Sequence, residues 1–299
     1  MKISKLLYCC RIEDASDNYA VLPEFLNALG MDFSSYEDKE HGGAIHVVYA
    51  EAEAVGRANF QRLQEALPLW KECGVRVASP ITFFTLKRED WSEVWKKYFH
   101  ILHISEHLVI RPSWLKYTAS PGEKVLTIDP GMSFGTGQHA TTAYCLGVID
   151  RLAGSPGVRS MLDAGCGSGI LSIAAGLFGY EPIAAFDNDE DAVRIAQENA
   201  LLNGFGPEKI RYFEGNAAIQ QFSEPFDFVA ANILSHLLIQ FRRNIVSWVR
   251  PGGYLALAGI LNEEFDAVSK AFTELGFKEV ERSICREWTG GLFQKGGKK

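Results

Sequence analysis

Three features predict an α/β protein: strand and helix alternate from about Ser160 onward, a glycine-rich turn at 163–169 joins a strand to a helix, and residues 1–87 follow a β-α-β-β-α-β order. The expected fold is a Rossmann-like, mostly parallel sheet with helices on both faces, preceded by a smaller α+β domain of ferredoxin-like order.

A strand is expected near Ile3 to Ile12, then a helix over 18–29 with Leu22, Phe25, Leu26 and Leu29 on one face and Gly30 as its stop. Strands over 33–38 and 44–49 flank a turn at Gly42-Gly43, a second helix spans 52–67, and a last strand runs over 75–86. Trp91, Val94, Trp95, Tyr98 and Phe99 make an apolar stripe, so residues 88–100 are read as a connecting helix. This divides the chain into 1–87, a linker at 88–100, and 101–299.

In the larger part, short strands are expected over 102–110 and 124–128, with turns at Pro112 and Pro121-Gly122. Further strands fall near 160–163, 183–187, 210–214, 226–232 and 254–259, and helices near 170–178, 190–203, 236–248 and 263–275. Two closing strands, 278–285 and 292–294, form an antiparallel hairpin at one edge.

The chain has 299 residues, 47% of them hydrophobic, which is ample for two cores. A net charge of -7 gives no global basic footprint for nucleic acid. The six cysteines, Cys9, Cys10, Cys73, Cys145, Cys166 and Cys285, form no Cys-x-x-Cys pair and no zinc spacing with histidine. They read as small hydrophobes in a reducing compartment. Arg11, Glu13 and Asp14 cut short the apolar run after Met1-Lys2, which argues against a signal peptide. With no run long enough to span a bilayer, the expected location is the cytoplasm.

The turn Asp163-Ala164-Gly165-Cys166-Gly167-Ser168-Gly169 carries the chemistry. Glycines there let the backbone turn tightly and a ligand approach the main chain. A dinucleotide loop is Gly-x-Gly-x-x-Gly, but here the third position is Ile170 and the pattern is Gly-x-Gly-x-Gly. Asp163 stands just before the loop, where a carboxylate repels a pyrophosphate and can hold an ammonium group. S-adenosylmethionine has such an ammonium and no phosphate. Asp187, closing the next strand, can accept from ribose hydroxyls, with Asp189 left to cap the following helix. Asn232 ends the fourth strand of the alternation, beside the expected ligand, where its amide oxygen can accept from an incoming amine.

With Glu89-Asp90-Trp91, Trp95-Lys96, Phe99 and Leu108 to Trp114, these residues resemble the PrmA family, bacterial methyltransferases of ribosomal protein eleven of the large subunit. The most specific segment is Asp129 to Thr142, similar to the family's proline-glycine, phenylalanine-glycine-threonine-glycine and histidine-x-threonine-threonine signature. Asp163 to Leu171, Asn232-Ile233-Leu234, Pro251-Gly252-Gly253 and Gly259-Ile260-Leu261 also match. The resemblance implies a class I methyltransferase domain behind an N-terminal substrate-recognition domain. It further implies that Thr142, Gly165, Gly167, Asp187 and Asn232 contact S-adenosylmethionine, and that Phe134, Gly135 and Thr136 flank the methyl group and the target amine.

The activity implied is methyl transfer to a lysine ε-amine or an α-amine of the ribosomal protein, free or ribosome-bound. It needs no metal, no membrane and no direct nucleic-acid motif, and it is compatible with a monomer. A lysine amine with a reference pKa of about 10.4 must lose a proton before it attacks, so alignment and desolvation are the main expected contributions. His139 invites a general-base role, but a loop hydrogen bond serves as well. The alternatives are a protein-lysine methyltransferase with a different client and a non-catalytic ribosome-binding factor.

Overall fold

The computed structural model describes residues 6–16, 21–37, 43–87, 100–129, 137 and 139–297. The expected connecting helix over 88–100, apart from His100, and Phe134, Gly135 and Thr136 lie outside the described residues. The chain divides into two compact units, Met1–Phe99 and His100–Lys299.

The first unit has the order β1 (Leu6–Asp14), α1 (Val21–Ala28), β2 (Phe33–Glu37), β3 (Ala44–Ala50), α2 (Glu53–Glu72) and β4 (Thr82–Lys87). Its strands form one sheet in the order β2-β3-β1-β4 with every pairing antiparallel, the ferredoxin-like arrangement. Alternation sends Cys10, Ile12 and Val48 into a core with Leu22, Leu26, Leu63 and Trp70 of the two helices. Phe25 stacks on Trp70 at 5.6 Å between ring centroids, fixing α1 against α2. β4 begins at Thr82, later than expected; before it, the Ala15 amide donates to the Arg76 carbonyl and the Ala78 amide to the Glu13 carbonyl, the two bonds of an isolated antiparallel bridge between Asp14 and Val77.

The second unit opens with a three-stranded sheet, β5 (Leu102–His103), β6 (Leu108–Pro112) and β7 (Lys124–Ile128), in that order. The next element is a helix the sequence reading lacks, α3 (Ala140–Leu152). There follow β8 (Met161–Ala164), α4 (Ile170–Leu177), β9 (Ile183–Asp187), α5 (Glu190–Leu202), β10 (Ile210–Glu214), β11 (Phe226–Asn232), α6 (Ser235–Trp248), β12 (Val249–Leu261), α7 (Phe265–Thr273), β13 (Phe277–Cys285) and β14 (Trp288–Lys295).

The seven-stranded sheet runs β10-β9-β8-β11-β12-β14-β13. Its first five strands are parallel and β14 is antiparallel to both β12 and β13. This is an α/β, Rossmann-like class I sheet, and its order reverses between β8 and β11, where such sheets bind ligands.

Period-two alternation divides the sheet's side chains between two cores. Met161, Ile183, Phe228 and Ala230 pack with α3, α4 and the small sheet. Leu162, Phe186, Val229 and Ala231 pack with α6 and α7. In the second core Phe186 stacks on Phe213 and meets Trp248 edge-on at 5.5 Å, which fixes the end of β9 just before Asp187. Trp248 is fully buried, a gain of about 2–3 kcal/mol by apolar area. No helix among the described residues is long and apolar enough to cross a membrane.

Candidate active site

Strand parity gathers the site. Asp163, Asp187 and Asn232 occupy positions of the same parity as Met161, Ile183 and Ala230, so all three face the α3 and α4 side at the carboxyl ends of adjacent strands. A one-residue slip in any of these strands would send its polar group into the opposite, aromatic core.

Asp163 is the most constrained group. It is 1% exposed. One carboxylate oxygen accepts from the Ser172 amide at 3.0 Å, and the other, Oδ1, is buried without a hydrogen-bond partner among the described residues. Burial, with the charge of Asp187 adding to it, pushes its pKa up to about 7 despite the Ser172 bonds. The Ser172 amide lies in the first turn of α4, where a phosphate would need a donor, and Asp163 already holds it. The site therefore disfavours a pyrophosphate and suits a cation.

The glycine loop is shaped around this carboxylate. Gly165 has φ +81°, and a Cβ built there would lie 2.5 Å from Cγ2 of Ile233. Glycine is thus required both by the turn and by the close approach of the residue following Asn232. The amides of Gly165 and Cys166 bond to the Phe186 carbonyl at 2.9 and 3.0 Å. Ser172 Oγ bonds the Gly169 carbonyl and the Tyr212 hydroxyl, both at 2.9 Å, tying loop, α4 and β10 together. Ser172 and Tyr212 were not among the residues the sequence singled out.

Asp187 closes β9 with a carboxylate that accepts from the Gly167 amide at 2.9 Å and from the Asp189 amide at 3.2 Å. Asp189 caps α5 by accepting from Asp191 N at 2.9 Å, as expected, but Asp187 also orients the glycine loop. Asn232 Nδ2 lies 3.4 Å from Oγ1 of Thr142, which is 1% exposed in the first turn of α3. Donation by Nδ2 leaves Oδ1 of Asn232 as an acceptor.

The described parts of the 129–142 segment approach the same loop. Gly137 is buried against Ile110 and Ile170, the latter the first residue of α4. His139 Nδ1 lies 2.7 Å from Thr141 Oγ1, and its ring meets Trp288 edge-on at 4.9 Å. These contacts place His139 in the turn into α3.

The residues fit S-adenosylmethionine. The buried, unpartnered Asp163 oxygen matches an ammonium, Asp187 offers a carboxylate for ribose hydroxyls, and neither favours a phosphate.

The chain matches the family model described as ribosomal protein L11 methyltransferase (PrmA) over residues 27–295. It is 35% identical over 270 residues to the ribosomal protein L11 methyltransferase of Chloroflexus aurantiacus, covering 83% of this chain and 81% of the relative. It is 41% identical over 215 residues to that of Geotalea uraniireducens, covering 69% and 67%. Among solved structures, the ribosomal protein L11 methylase of Lactobacillus delbrueckii subsp. bulgaricus is similar at a TM-score of 0.60 and 28% identity, covering 66% of this chain and all, 100%, of that one. The chain belongs to the ribosomal protein L11 methyltransferase (PrmA) family.

Proposed function

We propose that this chain is an S-adenosylmethionine-dependent protein N-methyltransferase that methylates lysine ε-amines or the N-terminal α-amine of ribosomal protein L11 in the cytoplasm. Membership of the family supports the reaction and the client. The observation that carries the donor assignment is the buried Asp163 carboxylate, with one oxygen unpartnered, beneath a glycine loop that Asp187 also holds.

In this reading Asp163 takes the donor's ammonium group, Asp187 its ribose, and Gly165 and Gly167 line its path along the loop. When bound, S-adenosylmethionine supplies a methyl group on a cationic sulfonium. Thr142 holds the amide of Asn232, and the Asn232 oxygen accepts an N–H of the incoming amine, orienting the nitrogen lone pair. A neutral amine is required, and a site that excludes water and already holds a cation disfavours the ammonium form of the target. Phe134, Gly135 and Thr136 flank the reacting groups, residues 1–87 recognise the protein substrate, 88–100 link, and 101–299 form the catalytic domain. The protein acts as a monomer on the free or ribosome-bound client.

The test is the intact mass of purified ribosomal protein L11 after incubation with this protein and S-adenosylmethionine. The reading expects whole-methyl increments. An unchanged mass, with the donor bound, would overturn the client assignment.

A further inference from the structure

Two asparagines four residues apart, Asn199 in α5 and Asn203 at its C-cap, bond to the carboxyl end of β7 and the residue that follows it. Asn199 is 2% exposed. Its Nδ2 donates to the Ser168 carbonyl of the glycine loop at 2.9 Å, and its Oδ1 accepts from the Asp129 amide at 3.0 Å. Asn203 accepts from the Thr127 amide at 2.8 Å and donates to the Thr127 carbonyl at 2.6 Å. It thereby pairs with the edge of the small sheet as a further strand would.

We propose that Asn199 is a positioning residue of the donor site, coupling the glycine loop to the strand end from which the 129–142 segment departs. This rests on the reading of that loop as the donor site. A buried carboxamide that donates to a carbonyl at one end and accepts from an amide at the other takes both bonds with it if it is lost. It therefore holds Ser168 and Asp129 at one separation, and the two halves of the site move together. Asn203 also donates to the Asn199 backbone carbonyl at 2.8 Å, but among the described residues it makes no bond to the glycine loop, so the pair separates positioning of that loop from general support of β7.

The experiment is calorimetric titration of the full chain with S-adenosylmethionine, comparing wild type, Asn199→Ala, Asn199→Asp and Asn203→Ala, with circular dichroism to verify folding. Asn199→Ala is expected to raise the donor Kd about tenfold or more, and Asn203→Ala to change it less than about twofold. Asn199→Asp keeps the acceptor for Asp129 but loses the donor to Ser168. Its Kd relative to wild type should fall towards one as the pH is lowered and the new carboxyl regains a proton. In wild type, donor binding should slow hydrogen exchange at the Asp129 amide, a readout that holds even if the Asn199 variants fail to fold. A folded Asn199→Ala with a Kd within about twofold of wild type, an equal loss in Asn203→Ala, or Asp129 exchange indifferent to the donor would overturn the inference. Wild type that does not bind S-adenosylmethionine would instead overturn the functional reading.

Discussion

Asn232 at the end of β11 and Thr142 in the first turn of α3 meet with 3.4 Å between Nδ2 and Oγ1, although 90 residues separate them. Thr142 thereby sets which end of the amide points onward. Thr142→Val removes the hydroxyl at nearly constant volume and should lower turnover about tenfold, the cost of a lost hydrogen bond of about 1.4 kcal/mol. Thr142→Ser should recover most of it. Steady-state kinetics of the two variants check this; a near-normal Thr142→Val beside an impaired Thr142→Ser would mean that the methyl group rather than the hydroxyl matters.

The Asp163 carboxyl, raised to about 7 by burial, must ionise to hold an ammonium, so donor binding should release a proton. Affinity should rise as pH increases from about 5.5 to 7.5 and then level off. Asp163→Asn keeps an acceptor for the Ser172 amide, and should bind the donor more weakly and without this pH dependence. The stability effect has its own sign. With the folded pKa above the unfolded one, the apo protein loses stability as pH rises from the ordinary carboxylate range through about 7, so Asp163→Asn should raise Tm above neutrality and not at pH 4. Titrations and melts across pH check both.

Gly165→Ala forces a side chain into a left-handed turn and against Ile233. Gly179 has φ +83° but open space around its Cβ position. Both substitutions should cost more than about 1 kcal/mol in denaturant unfolding. Gly165→Ala should cost more, and it alone should raise the KM for the donor.

Far from the site, at the amino end of β11, Asp227 accepts from the Arg159 and Ser160 amides at 2.8 and 2.9 Å and pairs with Arg250. Burial opposes its ionisation, but these donors outweigh it and hold its pKa below the usual value. Its stabilisation is present above the unfolded carboxylate pKa and is lost as pH falls through the lowered folded value. Asp227→Asn should cost about 1.5–3 kcal/mol at pH 7 and leave the donor KM unchanged.

Much of the fold was legible because strands and helices alternate with clear punctuation, and because Asp163, Asp187 and Asn232 each end a strand. The strand order was not, since pairing across β8 and β11 is set by packing rather than local pattern. α3 was not legible because Cys145 to Ile149 read as a short near-continuous apolar run and its first turn holds Thr141 and Thr142, which are weak helix formers. β12 starts at Val249 and β14 at Trp288, both earlier than expected. Gly290-Gly291 read locally as a turn and pairing with β13 overrides it, whereas Pro251-Gly252-Gly253 fall in the register shift between Val249 and Tyr254, an irregularity inside β12. Asn199 of α5 and Asn203 at its C-cap left a faint signal, four residues apart, but Asp129 and Thr127, the partners that give them meaning, lie about 70 residues away.

The proposed chemistry turns on Asn232 orienting an amine for methylation. The most direct measurement is transfer of labelled methyl from S-adenosylmethionine to purified ribosomal protein L11 by wild type and Asn232→Ala, with donor Kd measured alongside. Wild type should label the protein, and the folded variant should lose at least about 100-fold in labelling while its donor Kd stays within about tenfold. Near-normal labelling by Asn232→Ala, or none by wild type that binds the donor, would contradict it.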